Sequence, residues 1–344
     1  MEVFMILIRP VETTDIEQLF KLAKKIGPGM TTFPADKDVL MEKIIASKKA
    51  FNARTTADEE NSFLMVLEND KTKAIMGTAG VYSNIGKNEP FYTFQILSRF
   101  KHSYGLNSRV ASKTLHVVNE FTGDTEIGTL ILDPDYRGGG YGKILSKCRY
   151  LLIAQFRDLF GKRLIAELRG WSDENAISPF WEAVGKHFFD GMSYDHADYL
   201  CATTNNQFIA DLMPEHPIYV DLLSEAAKSV IGKPHNVGVP ALDMLFKEGF
   251  RYENFIDIFD GGPTVHAYID NVETVHKSFE KKVVIRESDC ENTQEYLVCT
   301  SSIDNFRVCQ VTVGLLSNNR ATLKNVTAEK LLIKEGDIVR LYPL

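Results

Sequence analysis

The chain has 344 residues, 44% hydrophobic and 25% charged, the balance of a folded globular protein, which excludes a mostly disordered or collagen-like one. That length exceeds a typical single core and suits two domains, or one large domain with an appendage. Lys and Arg number 39 against 46 Asp and Glu, so the net charge of −7 argues against nucleic acid as a partner.

No apolar stretch approaches the ~18 residues of a membrane span. The first eleven residues include Glu2 and Arg9 and lack the order of a signal peptide, so a cytoplasmic protein is expected. The cysteines are Cys148, Cys201, Cys290, Cys299 and Cys309. Their odd count and the absence of a CxxC pair predict reduced thiols rather than a disulfide framework or a zinc site.

In chain order, residues 4–10 (FMILIRP) read as a short buried strand. Thr13, Thr14 and Asp15 supply N-cap chemistry for a helix with Ile16, Leu19, Phe20, Leu22 and Ala23 on one face, stopped by Gly27, Pro28 and Gly29. A second amphipathic helix fits 36–52, with Leu40, Ile44 and Ile45 inward. Segments 63–68 and 74–81 read as consecutive strands around an Asn69-Asp70 turn. Between 83 and 123 only 91–98 and 113–118 have strand character. Residues 126–133 (EIGTLILD) form a strand, 137–142 a glycine-rich turn, 143–160 a long buried helix and 163–168 a further strand, the pattern of a βαβ-like unit. Helices dominate 178–232, another fits 240–247, and 251–259 alternates as a strand that Gly261, Gly262 and Pro263 break. From about 282 short Val-rich strands recur at 283–285, 296–298, 306–313, 331–333 and 339–341, which predicts a small β-barrel.

The turn Arg137-Gly138-Gly139-Gly140-Tyr141-Gly142 sits where free amides at a helix start favour an anion such as pyrophosphate. A P-loop requires a hydroxyl after Gly142-Lys143, and Ile144 stands there. A GxGxxG dinucleotide fingerprint started at Gly138 or Gly140 ends on Lys143 or Leu145 and fails. The segment resembles instead the R/Q-x-x-G-x-G/A motif of the GNAT acyl-CoA transferases, with Arg137, Gly140 and Gly142 in its three positions. Further blocks resemble the arginine N-succinyltransferase family, in the family's order: RPVE at 9–12, GPGMTTFPA at 27–35, LILDPD at 130–135, AELRG at 166–170, SPFW at 178–181, FIADLMPEH at 208–216, IGKPH at 231–235, EGFRY at 248–252 and NFIDIFDGGP at 254–263. Phe121 stands where that family usually has a histidine.

The resemblance implies an α+β fold: a GNAT-like mixed sheet flanked by helices over 1–280, with helical insertions, and a small β-barrel-like domain over 281–344. It implies transfer of the succinyl group of succinyl-CoA to the α-amine of L-arginine, the first step of arginine breakdown by this route, with no bound cofactor and no metal. Ornithine or dual acceptor specificity remains open beside it, as does a weakly active acyl-CoA-binding subunit. The implied succinyl-CoA contacts are Leu130 and Leu132, through the strand backbone, and Arg137, Gly138, Gly139, Gly140, Tyr141 and Gly142. His235 corresponds to the family's proton donor.

From the residues themselves, Arg169 is a candidate for the succinyl carboxylate, because guanidinium forks bind carboxylates bidentately. A carboxylate is needed for the acceptor's guanidinium. Glu167, Asp173, Glu174, Asp257 and Asp260 are candidates, and Thr31 and Thr32 are possible acceptor-side residues. The other seven histidines have no metal-ligand spacing. A homo-oligomer, such as a dimer, or a heteromer is expected.

Overall fold

The computed structural model describes residues 5–26, 32–52, 55–204, 207–287 and 293–344. The strand β1 (Ile6–Pro10) leads through a short 3-10 turn into α1 (Ile16–Ile26). Helix α2 (Lys37–Ala50) follows, and the Asp36 carboxylate caps it by accepting from the N–H groups of Asp38 and Val39. Four strands come next: β2 (Asn61–Asn69), β3 (Ile75–Ser83), β4 (Thr93–Ser103) and β5 (Ser108–Val118). Then β6 (Thr125–Leu132), the glycine turn, α3 (Tyr141–Gln155) and β7 (Arg163–Glu167) form the βαβ unit, with β6 and β7 parallel.

A helical layer follows, α4 (Pro179–Ala183), α5 (Gly185–Phe188), α6 (Tyr194–Thr203), α7 (Gln207–Leu212) and, after the two-residue β8 (Ile218–Tyr219), α8 (Glu225–Lys228). Helix α9 (Val239–Lys247) precedes β9 (Arg251–Asp257), β10 (Pro263–Tyr268) and α10 (Glu273–Lys277). The chain ends in β11 (Phe279–Ile285), β12 (Thr293–Thr300), β13 (Val308–Leu316), β14 (Arg320–Leu323), α11 (Asn325–Leu331) and β15 (Ile338–Pro343).

The strands run β12-β15-β11-β14-β13-β1-β2-β3-β6-β7-β10-β9-β4-β5-β8, and β12 also pairs β13, so five C-terminal strands close into a barrel joined to the central sheet through β1. Strand alternation divides the two faces of the central sheet. Phe63, Met65 and Leu67 of β2 pack with α3, whereas Leu64 and Val66 pack with α1 and α2. Both faces are therefore covered, which is why these strands read as continuous apolar runs. The helical layer packs on Phe94, Leu115 and Ile256 around Trp181.

Five features differ from the sequence expectations. Ile45, expected inward, is exposed on α2, whose buried face is Leu40, Ile44, Ser47 and Ala50. The region 83–123 holds a hairpin of two eleven-residue strands, whose polar outer half hides the alternation. Helix α3 starts at Tyr141 rather than 143 because Gly140, at φ 78°, is its N-cap, and it ends at Gln155 with a separate 3-10 turn after it. Gly261, Gly262 and Pro263 do not end the sheet: they turn the chain into β10, and Pro263 is its first residue, where a missing N–H is tolerated. Residues 331–333 are no strand. Leu331 ends α11, which buries Thr327, Ala328 and Leu331 at helical spacing, and Leu332 takes a left-handed φ of 56° beyond it. Cys148, Cys201, Cys299 and Cys309 are free thiols, and Cys290 lies outside the described residues.

Candidate active site

The parallel strands β6 and β7 pair only at Thr125↔Leu164 and Glu126↔Ile165, after which β6 continues unpaired on that side. A cavity of about 260 Å³ fills the resulting wedge, lined by Leu130 of β6, Glu167 at the end of β7, Arg169 just beyond it and His235 before α9. Four of the sequence candidates, distant along the chain, thus share one cavity.

Backbone geometry equips its β6 wall. A bulge lies between the pairs Thr78↔Ile131 and Gly80↔Gly128, and Thr129 within it adopts φ 49°. The Thr129 carbonyl accepts from the Thr78 hydroxyl on the β3 side at 3.0 Å. A trans peptide points its N–H opposite to its C=O, so the Leu130 N–H faces the wedge. Asp133 donates its N–H to the Met76 carbonyl of the same neighbour at 2.8 Å, and by alternation the Leu132 N–H also turns to the open side. The Tyr82 hydroxyl bonds the Thr129 hydroxyl and fixes the bulge from the other face.

His235 is held by backbone. Its N–H donates to the Arg169 carbonyl at 2.8 Å, the Trp171 N–H donates to the Lys233 carbonyl at 3.1 Å, and Gly170 bridges Pro234 between them. Gly170 must be glycine, because a Cβ there would lie 2.4 Å from the Asp260 carbonyl oxygen. Asp260 braces the loop: one carboxylate oxygen accepts from the Gly170 N–H at 2.7 Å and the Tyr194 hydroxyl at 3.1 Å, and the other from the Gly262 N–H at 2.8 Å. The Val237 N–H donates to His235 Nδ1 at 3.3 Å, so in the neutral ring the proton resides on Nε2. Burial and then the Arg169 charge lower the pKa of His235.

Carboxylates gather on one face of the sheet beside this cavity. Glu126 shares a face with Ile165, its partner across the strands, and therefore with Glu167 two residues on; Glu167 lies opposite Thr264, whose hydroxyl donates to it at 2.9 Å. Thr264 in turn faces Phe255, two residues from Asp257. Burial, then the negative charge of Asp257 and Glu126, raises Glu167 well above the usual carboxylate range. Burial and Asp260 raise Asp257, and burial pushes Glu126 up to about 7 despite Lys43 nearby. Opposite Asp257, the fully buried Thr93 hydroxyl has no hydrogen-bond partner among the described residues. Glu126, Glu167 and Asp257 thus share one face of the sheet, and Glu167 is the one of the three that lines the cavity.

The remaining candidates fall elsewhere. Arg137, Gly138, Gly139, Gly140, Tyr141 and Gly142 lie outside the cavity lining, at the α3 N-terminus, where a Cβ on Gly142 would come 3.9 Å from Leu132 Cδ2. Gly138 and Gly140 take φ of 90° and 78° in open space, so their conformation rather than crowding requires glycine. Asp133 fixes the start of the turn by accepting from the Asp135 N–H and pairing with Lys25. Asp173 caps its own turn through the N–H groups of Asn175 and Ile177, and Glu174 is exposed; neither lines the cavity. Thr32 lies beside Tyr82 and Gly128, whereas Gly27, Pro28, Gly29 and Thr31 fall outside the described residues.

Sequence reasoning missed Arg149, which is buried on α3, lines the cavity and donates to the Ser146 hydroxyl at 2.8 Å. Its signal was an arginine between Cys148 and Tyr150, at a position on the helix's buried side, where charge is rare without a partner. Glu126 was also missed, because a glutamate at the start of a strand looks like ordinary surface.

The family model described as arginine N-succinyltransferase beta subunit matches residues 6–274. The chain belongs to the arginine N-succinyltransferase family. Arginine N-succinyltransferase of Yersinia pestis (strain Pestoides F) is 40% identical over 346 residues, covering 99% of this chain and 98% of that protein. The enzyme of the same name from Citrobacter koseri is 40% identical over 340 residues, with the same coverage. Among solved structures, arginine/ornithine succinyltransferase subunit AI from Pseudomonas aeruginosa superposes with a TM-score of 0.89 at 31% identity, covering 99% of both chains. The Pseudomonas subunit thus shares this α+β architecture, a mixed sheet flanked by helices and a closed C-terminal barrel. Among the described residues no helix is long and apolar enough to cross a membrane, and no cluster of His, Cys, Asp and Glu is arranged to hold a metal ion.

Proposed function

We propose that the chain is an acyltransferase that moves the succinyl group of succinyl-CoA to the α-amine of L-arginine. The observation that carries this reading is the single cavity shared by Leu130, Glu167, Arg169 and His235 at the wedge between β6 and β7. The exposed amides of the turn from Arg137 to Gly142 hold the pyrophosphate of succinyl-CoA at the start of α3. Its pantetheine arm follows β6 into the wedge, where the outward N–H groups of Leu132 and Leu130 receive it, and the Leu130 N–H stabilises the oxyanion of the tetrahedral intermediate. Arg169 takes the succinyl carboxylate.

The acceptor enters on the acidic face, where Glu126 and Asp257 bind its guanidinium. Its α-ammonium meets Glu167, whose charged form is favoured once the incoming cation replaces the water that burial removed, and the carboxylate then takes a proton from the ammonium. The freed amine attacks the thioester carbon and the N–C bond forms; collapse of the intermediate breaks the C–S bond, and the second proton of the nitrogen leaves with the sulfur, so the products are the neutral amide and the CoA thiol. The neutral His235 ring presents Nε2–H to the departing sulfur, where negative charge builds. Binding of both substrates in one wedge supplies orientation.

The experiment is thiol release from succinyl-CoA by the purified chain with arginine, ornithine, lysine or no acceptor. Release that requires arginine is expected, and in Glu167→Gln kcat/KM for arginine falls about a hundredfold while the Kd for CoA stays unchanged. Release that is independent of any acceptor, or absent with all three, sinks the assignment.

A further inference from the structure

The hairpin of β4 and β5 is anchored only at its base, where residues 93–95 pair with β9 and residues 114–115 with β8. Beyond that, residues 98–103 and 108–113 pair only with each other, an arm of six residues per strand that reaches about 20 Å at ~3.3 Å per residue. Phe100, Tyr104 and Leu106 on this arm are 84%, 88% and 81% exposed, and Val110 is exposed beside them. Isolated two-stranded ribbons are marginal in water, and this one buries none of its large apolar side chains at the tip. Its charge is equally one-sided: between Glu89 and Glu120 there is no Asp or Glu, while Arg99, Lys101, Arg109 and Lys113 are all exposed on the arm.

The complement is on the same chain. From Asp173 to Glu225 the sequence holds ten Asp and Glu against one Lys. In the helical layer Glu182, Asp190, Asp195, Asp211, Glu215 and Asp221 are exposed, and so are the apolar Tyr199, Leu212, Tyr219 and Leu222. A basic arm with aromatic tips and an acidic layer with exposed apolar side chains match in both charge and hydrophobicity. Since each copy carries one arm and one layer, a two-fold arrangement satisfies both at once and closes the assembly.

We propose that the chain forms a two-fold dimer in which the 98–113 arm of each copy docks on the acidic helical layer, α4 to α8, of the other. A basic, aromatic hairpin also has the chemistry of a single-strand nucleic-acid platform, but an acidic layer of this density on the same chain favours a protein partner. The proposal is independent of the reaction assigned above.

Sedimentation of the full chain in low and high salt is the test. The expected result is a particle of twice the 38.8 kDa chain mass that weakens as salt screens the contact. The variant carrying Phe100→Ser and Tyr104→Ser is expected to raise the dimer dissociation constant about thirtyfold or more, with an unchanged melting midpoint of the monomer. A chain with Arg99→Glu, Lys101→Glu and Arg109→Glu should dissociate as well, and should pair again when mixed with a chain carrying Asp195→Lys, Asp211→Lys and Glu215→Lys. A monomeric wild-type chain, a dimer indifferent to the arm variants, or a failure of the charge-swapped chains to pair overturns the proposal. So does binding of a random-sequence single-stranded RNA that the Phe100→Ser/Tyr104→Ser variant loses while the chain remains monomeric.

Discussion

The wedge between β6 and β7 and the C-terminal barrel are made of the same material, adjacent strands of one sheet, and they handle their edges in opposite ways. The barrel strands pair continuously until β12 meets β13, and the interior fills with Val283, Val298, Val313, Leu331, Val339 and Leu341. The wedge abandons pairing after two residues, and ionisable groups line what opens: Glu167, Arg169, Arg149 and His235. Closure satisfies backbone groups with each other and leaves nothing to bind with. Separation leaves the N–H groups of Leu130 and Leu132 unspent on sheet pairing and available to a ligand, and it places carboxylates close enough to raise one another's pKa. The barrel supports the wedge at a distance, since Lys147 on α3 donates to Glu248, Thr274 and the Tyr342 hydroxyl of β15, and so ties the back of the active-site helix to the barrel wall.

The sharpest way to separate the two regions is to damage each without touching the other. His235→Ala removes the histidine of the cavity lining and one long hydrogen bond, from the Val237 N–H to Nδ1, while the backbone bonds and the Asp260 brace that hold the loop remain, so the fold should be little affected. We expect kcat to fall about a thousandfold, the range of a lost proton-handling group, with a change in melting temperature of less than about 2 °C. A large loss of stability in this variant would show that the ring is structural. Leu341→Ala does the reverse. It empties a fully buried site in the barrel interior and should cost about 3 kcal/mol in denaturant unfolding, while kcat and both KM values hold at temperatures where the protein stays folded. A parallel loss of kcat would mean that the barrel shapes the wedge and does more than brace α3.

The two regions were also unequally legible in sequence. The βαβ unit of β6, α3 and β7 was legible in its order, because a strand, four glycines in the turn and a long, largely apolar helix leave few alternatives, although both helix ends lie a few residues from where the pattern put them. In the barrel the alternating Val-rich strands were visible, but residues 331–333 look as strand-like as 339–341, and only the burial of Thr327, Ala328 and Leu331 on one side makes the first of these a helix end. For the cavity, Leu130, Glu167, Arg169 and His235 were candidates one by one. That they meet depends on Gly170 lying against Asp260, a contact 90 residues apart that no local pattern encodes. Glu126 and Arg149 escaped because their significance lies in their neighbours. Short strands such as β10 are hard to see for a related reason: its start at Gly262-Pro263 has the composition of a loop, and it is a strand only because β7 and β9 lie on either side.

If the wedge is a place where stability is given up for chemistry, removing one of its charges should make the protein more stable, and the gain should depend on pH in a calculable sense. Glu126 titrates near 4.5 when unfolded and at about 7 when folded, because burial disfavours its charged form. Below the unfolded value both states are protonated and the residue is neutral in its effect. As pH rises from about 4.5 to 7 the unfolded chain releases its proton and the folded chain holds it, so folding becomes progressively less favourable; above 7 the penalty is full. Partial solvent access softens the cost, leaving about 1–2 kcal/mol for E126Q to recover at pH 8 and nothing to recover near pH 4. Urea unfolding at the two pH values checks this. The same substitution should raise the KM for arginine, because the glutamate that destabilises the empty protein is the one that a guanidinium neutralises. A variant that gains stability at pH 8 and keeps its affinity for arginine would move the acceptor's cation away from Glu126 and onto Asp257 alone.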